Sequence, residues 1–314
     1  MLEKRPEVLL RACHVWERST DRIGFQWKAR LLQAMWRESL GLAPAEYSGK
    51  LRGAQIPMPQ AKESLANYLS PNIRALVQRE VDDPIRAKGK LYKKPRIYNN
   101  LLSSQPLCFN LFGELSLDLD LATRVLSDFT GGQVAQVHAI EFEFSPGRGD
   151  DRYTGDKSAY DVYVRYENQD RKACFLGIEV KYHEGLYDKE AEYRPRYDEL
   201  IEAMGCFDPD ALGRIKKRPL EQIMRDHLLV GAHRLVDGFA EGTFVFLYPE
   251  GNANCASAVQ AYKECLSDAS SFVSWTLEDL VATLMRHSSA QWVEAFYNRY
   301  LDFTKISERV DPST

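Results

Sequence analysis

The chain has no CxxC pair and no histidine pair at metal-ligand spacing, and its six cysteines (Cys13, Cys108, Cys174, Cys206, Cys255 and Cys265) are scattered. This composition argues against a zinc site and makes reduced thiols the default. No uncharged apolar run reaches the roughly 18 residues needed to cross a bilayer. The opening MLEKRPEVLLRACHVW also lacks the apolar stretch of a secretory signal, so the expectation is a cytoplasmic protein with no membrane partner. No helix-turn-helix or zinc-finger pattern is present, which leaves base recognition unassigned. A strong excess of one charge is missing too, since the formal net charge is −4. That value argues against an indiscriminate nucleic-acid coat.

The distribution of charge says more than its total. Residues 1 to 100 hold 19 Lys+Arg against 10 Asp+Glu, and the remainder holds 22 against 35. A basic front attached to an acidic remainder suits phosphate capture beside a cation site, and equally suits two halves that attract each other. With 314 residues, of which 44% are hydrophobic, the chain can bury one large core or a core with an appended region.

The stretch from 158 to 182, SAYDVYVRYENQDRKACFLGIEVKY, reads as a β-hairpin. Two runs rich in Val, Ile, Tyr and Phe flank a polar patch of turn composition. A turn symmetric about Asp170 sets Asp161 opposite Glu179, with Cβ atoms about 4.5 to 5.5 Å apart. The two-residue period of a strand then brings Lys181 to the same face. Carboxylates so placed are hard oxygen donors for Mg²⁺ or Mn²⁺. Such an ion lowers the pKa of a bound water and offsets charge at a phosphorus centre, while an adjacent ammonium stabilises the transition state.

The same pattern fits a solvated strand face with one cross-strand salt bridge, worth about 0 to 1 kcal/mol. The neighbouring residues argue otherwise. Cys174, Leu176, Ile178 and Val180 form one apolar face, and Phe175 and Gly177 precede Glu179 on the other. A strand apolar on both faces belongs inside a sheet, where carboxylates are costly unless paired or bound to metal. Asp161 with the triplet Glu179-Val180-Lys181 resembles the two halves of the PD-(D/E)XK nuclease motif. Tyr160 stands where the namesake proline would be.

Helices are expected at 3 to 17 and 21 to 40, the second capped by Ser19, Thr20 or Asp21, and at 60 to 69 and 71 to 81. The stretch 41 to 59 reads as a loop from its glycines and prolines. RAKGKLYKKPR, residues 86 to 96, carries six basic residues and no acidic one. It is either a phosphate-binding segment, through Lys88, Lys90, Lys93, Lys94 and Arg96, or a solvated loop. A helix from Pro106 to Asp128, broken near Asp118, precedes a strand at 134 to 144 with Ile140, Phe142 and Phe144 on one face and Glu141 and Glu143 on the other. The Gly-rich segment from Ser145 to Lys157 reads as a surface loop able to approach the active face.

After the hairpin come a helix around Tyr197 to Met204, a helix from Pro219 to Val236 with proline at its first position, a strand at 242 to 249, and helices at 254 to 268, 277 to 287 and 289 to 303. Gln222 and Arg225 share a face of the Pro219 helix, and Arg225 suits a phosphate or an acidic partner. Thr276 with Asp279 resembles a capping box.

The helix, three strands, helix and strand from 106 to 249 are similar to the αβββαβ core of that superfamily, and the chain looks similar to bacterial restriction-endonuclease-like proteins. The resemblance implies an α/β fold: a mixed central sheet flanked by helices, with N-terminal and C-terminal helical additions. Residues 1 to 100 would form the basic helical front, 101 to 250 the nuclease core, and 251 to 314 a helical extension packed on it. It also implies a metal-dependent endonuclease acting on DNA, in restriction or defence, with a homodimer as the economical way to cut both strands. Asp161, Glu179 and a backbone carbonyl near Val180 would hold Mg²⁺ or Mn²⁺, and Lys181 would act on the water. Glu114 and one of Glu141 or Glu143 would join the metal site. A nuclease for RNA or structured DNA, or a non-catalytic module on the same fold, remains open from sequence.

Overall fold

The computed structural model describes residues 6–16, 24–186 and 191–310. The expected cap at Ser19, Thr20 or Asp21 lies outside them. The first expected helix is confined to Glu7–Ala12. The second, α1 (Gly24–Ser39), buries Phe25, Trp27, Leu31 and Leu32. Within the expected loop at 41 to 59, β1 (Ala45–Tyr47) and β2 (Lys50–Arg52) pair as a small antiparallel ribbon. Ser48 and Gly49 both take positive φ at its turn, the backbone signature of a tight hairpin. Short helices Gln60–Ser64 and Pro71–Val77 follow. Ser70 caps the latter by accepting from the Ile73 N–H, and the chain continues into one wide turn, Gln78–Asp82.

The predicted break near Asp118 divides α2 (Ser104–Leu117) from α3 (Leu119–Phe129), because the Asp118 carboxylate accepts the Leu121 N–H and restarts the helix. These helices lead into β3 (Gln136–Phe144), β4 (Tyr160–Glu167) and β5 (Ala173–Val180), an antiparallel meander. A crossover through α4 (Pro195–Met204) and α5 (Glu221–Asp237) returns the chain to β6 (Glu241–Tyr248), parallel to β5. Pro219 is not the first residue of α5, which starts two residues later, after Leu220. A second crossover through α6 (Ala253–Lys263) adds β7 (Phe272–Thr276), parallel to β6. Then come α7 (Leu277–His287), α8 (Gln291–Tyr300) and a short helix, Thr304–Val310. Thr276 caps α7 and exchanges hydrogen bonds with Asp279 as the capping pattern suggested.

The sheet order is β3-β4-β5-β6-β7, a mixed sheet with helices on both faces. One core holds Leu31, Phe109, Leu126, Val162, Ile178, Val245, Leu280 and Phe296, from α1, α2, α3, α7, α8 and one face of the sheet. The other holds Tyr163, Phe175, Leu200, Leu228, Phe246 and Val259, from α4, α5, α6 and the opposite face. The C-terminal region, expected to be helical, therefore also supplies a strand. β7 is only five residues long, and pairing to β6 is what makes it a strand.

Candidate active site

The site grows from the β4–β5 hairpin. Val162 pairs with Ile178 and Tyr163 with Gly177. That register follows the predicted turn symmetry, and Asp161 and Glu179 lie next to its last pair, Val162 with Ile178. Asp161 Oδ2 accepts the Val180 N–H at 2.9 Å. Glu179 Oε1 meets Lys181 Nζ at 2.7 Å and accepts from Gln222 Nε2 of α5 at 2.8 Å. Lys181 Nζ also donates to Gln222 Oε1 at 3.3 Å, closing a triangle between strand and helix. The side chains of Lys181 and Glu179 are only 12% and 11% exposed, so this is not a solvated strand face.

Burial sets the electrostatics. It pushes the Asp161 carboxyl well above the usual carboxylate range, and repulsion from Glu179 adds to it while Lys181 opposes it. Lys181 shifts upward although burial opposes its charge, because Glu179 and then Asp161 hold the ammonium. Asp226, one turn beyond Gln222 on α5, is likewise pushed up by burial and by Glu179. Glu184 moves the other way. Against the effect of burial, His183, Lys181 and the Tyr182 N–H hold it below the carboxylate range.

These groups lie in an open cleft of about 690 Å³. Glu143 reaches it through a local distortion: its φ of +49° interrupts the alternation of β3. Ile140 and Phe142 pack in the core beneath α2, whereas Phe144 crosses to the opposite face and stacks on Tyr163. The expected common face of Ile140, Phe142 and Phe144 is thus corrected. Glu143 turns into the cleft, where it accepts from Arg148 at 3.1 Å, the Leu91 N–H at 3.3 Å and Gln105 at 3.4 Å. Glu141 stays exposed beside Arg79, Arg86 and Lys90 in a separate groove.

Glu114 is also corrected. It accepts from Ser70 Oγ and Asn72 Nδ2, which fixes the start of the Pro71–Val77 helix outside the cleft. Of the basic segment, Lys93 and Arg96 line the cleft. Arg96 donates to Glu184 at 2.9 Å. Lys90 pairs with Glu80 at 3.1 Å and Lys94 with Asp82 at 3.6 Å, while Lys88 is exposed. Arg225 lines the cleft and is held by Glu221 at 2.5 Å and Asp156 at 3.6 Å.

Sequence reasoning missed Arg148, Asp156, Glu184 and Asp226, all of which line the cleft. Arg148 and Asp156 belong to the Ser145 to Lys157 loop expected to approach the active face, and Asp226 has a helical spacing from Gln222, whereas Glu184 carried no signal. Glu184 ties the end of β5 to α2 by accepting from the Tyr182 N–H at 3.0 Å and the Ser104 N–H at 3.2 Å.

No group of three metal-ligating side chains is assembled among the described residues. The donor chemistry nonetheless fits a hard divalent ion, which commonly takes one or two carboxylates with water and phosphate completing the shell. Asp161 and Glu179 are oxygen donors at the cleft whose mutual repulsion a cation relieves.

No helix of the described residues is long and apolar enough to cross a membrane. Comparison with curated proteins and with solved structures found no match. A family model described as the PD-(D/E)XK nuclease superfamily matches residues 19–302. Members of that superfamily generally use divalent metal ions, in keeping with the paired carboxylates beneath the cleft. With that match spanning most of the chain, and with a mixed sheet that carries Asp161, Glu179 and Lys181 at adjoining strand ends, the protein belongs to the PD-(D/E)XK nuclease superfamily.

Proposed function

We propose that the protein is a Mg²⁺- or Mn²⁺-dependent endonuclease that hydrolyses phosphodiester bonds in DNA. The observation that carries this reading is the convergence of Asp161, Glu179 and Lys181 on the floor of one cleft. Asp161 and Glu179, with a backbone carbonyl near Val180, would hold the ion. When bound, the ion would supply charge stabilisation at phosphorus and a more acidic water.

Lys181 would keep its proton at Nζ and present it to the attacking water or to the charge that develops on phosphate. Gln222 would hold Glu179 and Lys181 in register by bonding to both. Lys93, Arg96 and Arg148 at the cleft would meet the phosphate backbone as point charges or forks. Glu143 is the nearer candidate for a further ligand, since it lines the cleft beside Asp161. A cytoplasmic role in restriction or defence, acting as a homodimer where both strands are cut, completes the proposal.

The test is incubation of the full chain with circular, linear and single-stranded DNA and with RNA at low salt, in Mg²⁺, Mn²⁺ or EDTA. Wild type is expected to cut DNA only with metal. Asp161→Asn, which keeps the side-chain volume, is expected to lose activity by orders of magnitude while its circular dichroism is unchanged. Cleavage by Asp161→Asn at the wild-type rate removes Asp161 from the mechanism. Cleavage of RNA alone redirects the substrate.

A further inference from the structure

Residues 91 to 93 run along the cleft outside any helix or strand. Tyr92 is tied to the core, its hydroxyl donating to the Phe142 carbonyl at 3.4 Å and its ring centred 6.0 Å from that of Phe109. Its two neighbours, Leu91 and Lys93, line the cleft. Peptide groups in such a stretch need hydrogen-bond partners, and here side chains supply them.

Gln105, in the first turn of α2, takes the part of a neighbouring strand. Its Oε1 accepts the Lys93 N–H at 3.1 Å, and its Nε2 donates to the Leu91 carbonyl and to Glu143 Oε2, each at 3.4 Å. Glu143 Oε1 in turn accepts the Leu91 N–H at 3.3 Å and is held by Arg148 at 3.1 Å. One donor and two acceptors thus surround the carboxamide. An amide offers both functions, whereas a carboxylate only accepts and an ammonium only donates.

The brace ends on Lys93. That lysine lines the cleft, whereas Lys90 and Lys94 are paired with Glu80 and Asp82. A lysine whose backbone is already fixed gives up less freedom on meeting a phosphate than one on a loose loop.

We propose that Gln105 is a positioning residue for phosphate recognition: by bracing the backbone on both sides of Tyr92, it holds the Lys93 ammonium over the cleft for the backbone of a nucleic acid. It acts through Lys93 and takes no part at the scissile phosphate. The inference rests on the nuclease reading, because the phosphates that Lys93 meets are those of the substrate.

The experiment measures binding of the full-length protein to duplex DNA by anisotropy in Ca²⁺ across a range of salt, with a thermal melt of each variant. Gln105→Met keeps an unbranched side chain of similar length and removes the amide's hydrogen bonds. It should flatten the slope of log K against log salt by up to about 0.9, the loss of one phosphate contact, as Lys93→Gln does. The double variant should lose no more than Lys93→Gln alone, since two residues acting as one unit are not additive. Hydrogen exchange at the Leu91 and Lys93 amides should be faster in Gln105→Met than in wild type. Gln105→Ala repeats the comparison if the methionine variant melts early.

A wild-type salt slope in the Gln105 variants overturns the inference. So do losses that add in the double variant, or a lowered melting temperature with binding weakened equally at every salt, which is how a merely structural residue behaves. In each of these cases metal-dependent cleavage by wild type leaves the nuclease reading standing. Wild type that neither binds nor cuts any of the nucleic acids removes the nuclease reading, and this inference with it.

Discussion

On the proposed reading, Lys181 is the residue at which catalysis and mere binding part company. Its ammonium is buried, paired with Glu179 at 2.7 Å and bonded to Gln222, so it is oriented before any substrate arrives. An interaction made chiefly in the transition state, when removed, lowers turnover without a matching loss of ground-state affinity. Lys181→Met should therefore abolish cleavage in Mg²⁺, scored on a gel, and keep DNA binding in Ca²⁺, scored by anisotropy, within a few-fold of wild type. A structural lysine behaves differently. If binding falls sharply and wild type itself cuts none of the substrates, the protein is a binding module on a nuclease fold.

At the scale of the element, β5 carries the site because it is buried on both faces and hydrogen-bonded on both edges. Gly177 shows how closely it is packed. A Cβ there would meet the Tyr160 ring at 2.5 Å, and Tyr160 is 1% exposed and stacked with Tyr163. A glycine in a strand interior often marks such a close approach. Gly177→Ala should destabilise the protein by about 1 to 3 kcal/mol, the usual cost of overpacking a core, read from the urea midpoint at constant slope. Because the displaced ring belongs to the residue preceding Asp161, the folded variant should also lose activity. An unchanged midpoint would mean that Tyr160 yields without strain.

At the scale of the whole molecule, the basic front is less free than its composition suggests. Glu80, 7% exposed, gathers Arg79, Arg86 and Lys90, and Asp82 takes Lys94. Part of the attraction between the unlike charges is therefore spent within the front itself. Lys93 lines the cleft and has no carboxylate partner among the described residues. Lys93→Gln should flatten the dependence of log K on log salt by up to about 0.9 on duplex DNA, and Lys94→Gln should leave the slope almost unchanged. Equal slopes for both variants and wild type would return the segment to a solvated loop. The front is joined to the C-terminal region by a buried network. Arg299 donates to Gln33 at 3.0 Å and to Asn67, and Gln33 reaches the hydroxyl of Tyr182, the residue after Lys181, at 3.3 Å.

The sequence by itself determined whatever rests on local periodicity. The hairpin register, the apolar faces of β5, the helix break at Asp118 and the cap at Thr276 all follow from residues within a turn or a strand of one another. Asp161, Glu179 and Lys181 were legible for the same reason, lying on or just beyond two strands that a single turn joins. Only the tertiary structure decided which distant groups share the cleft. The positive φ at Glu143 moves that side chain into it, and Glu141, two residues away, stays outside. Glu114 went to Ser70, and Lys90 and Lys94 went to Glu80 and Asp82, because a charged side chain takes the nearest partner in space. β7 became a strand by pairing with β6. Asp226 entered the site when α5 packed across β5, since a buried carboxyl shows its lack of a partner only once its surroundings are in place.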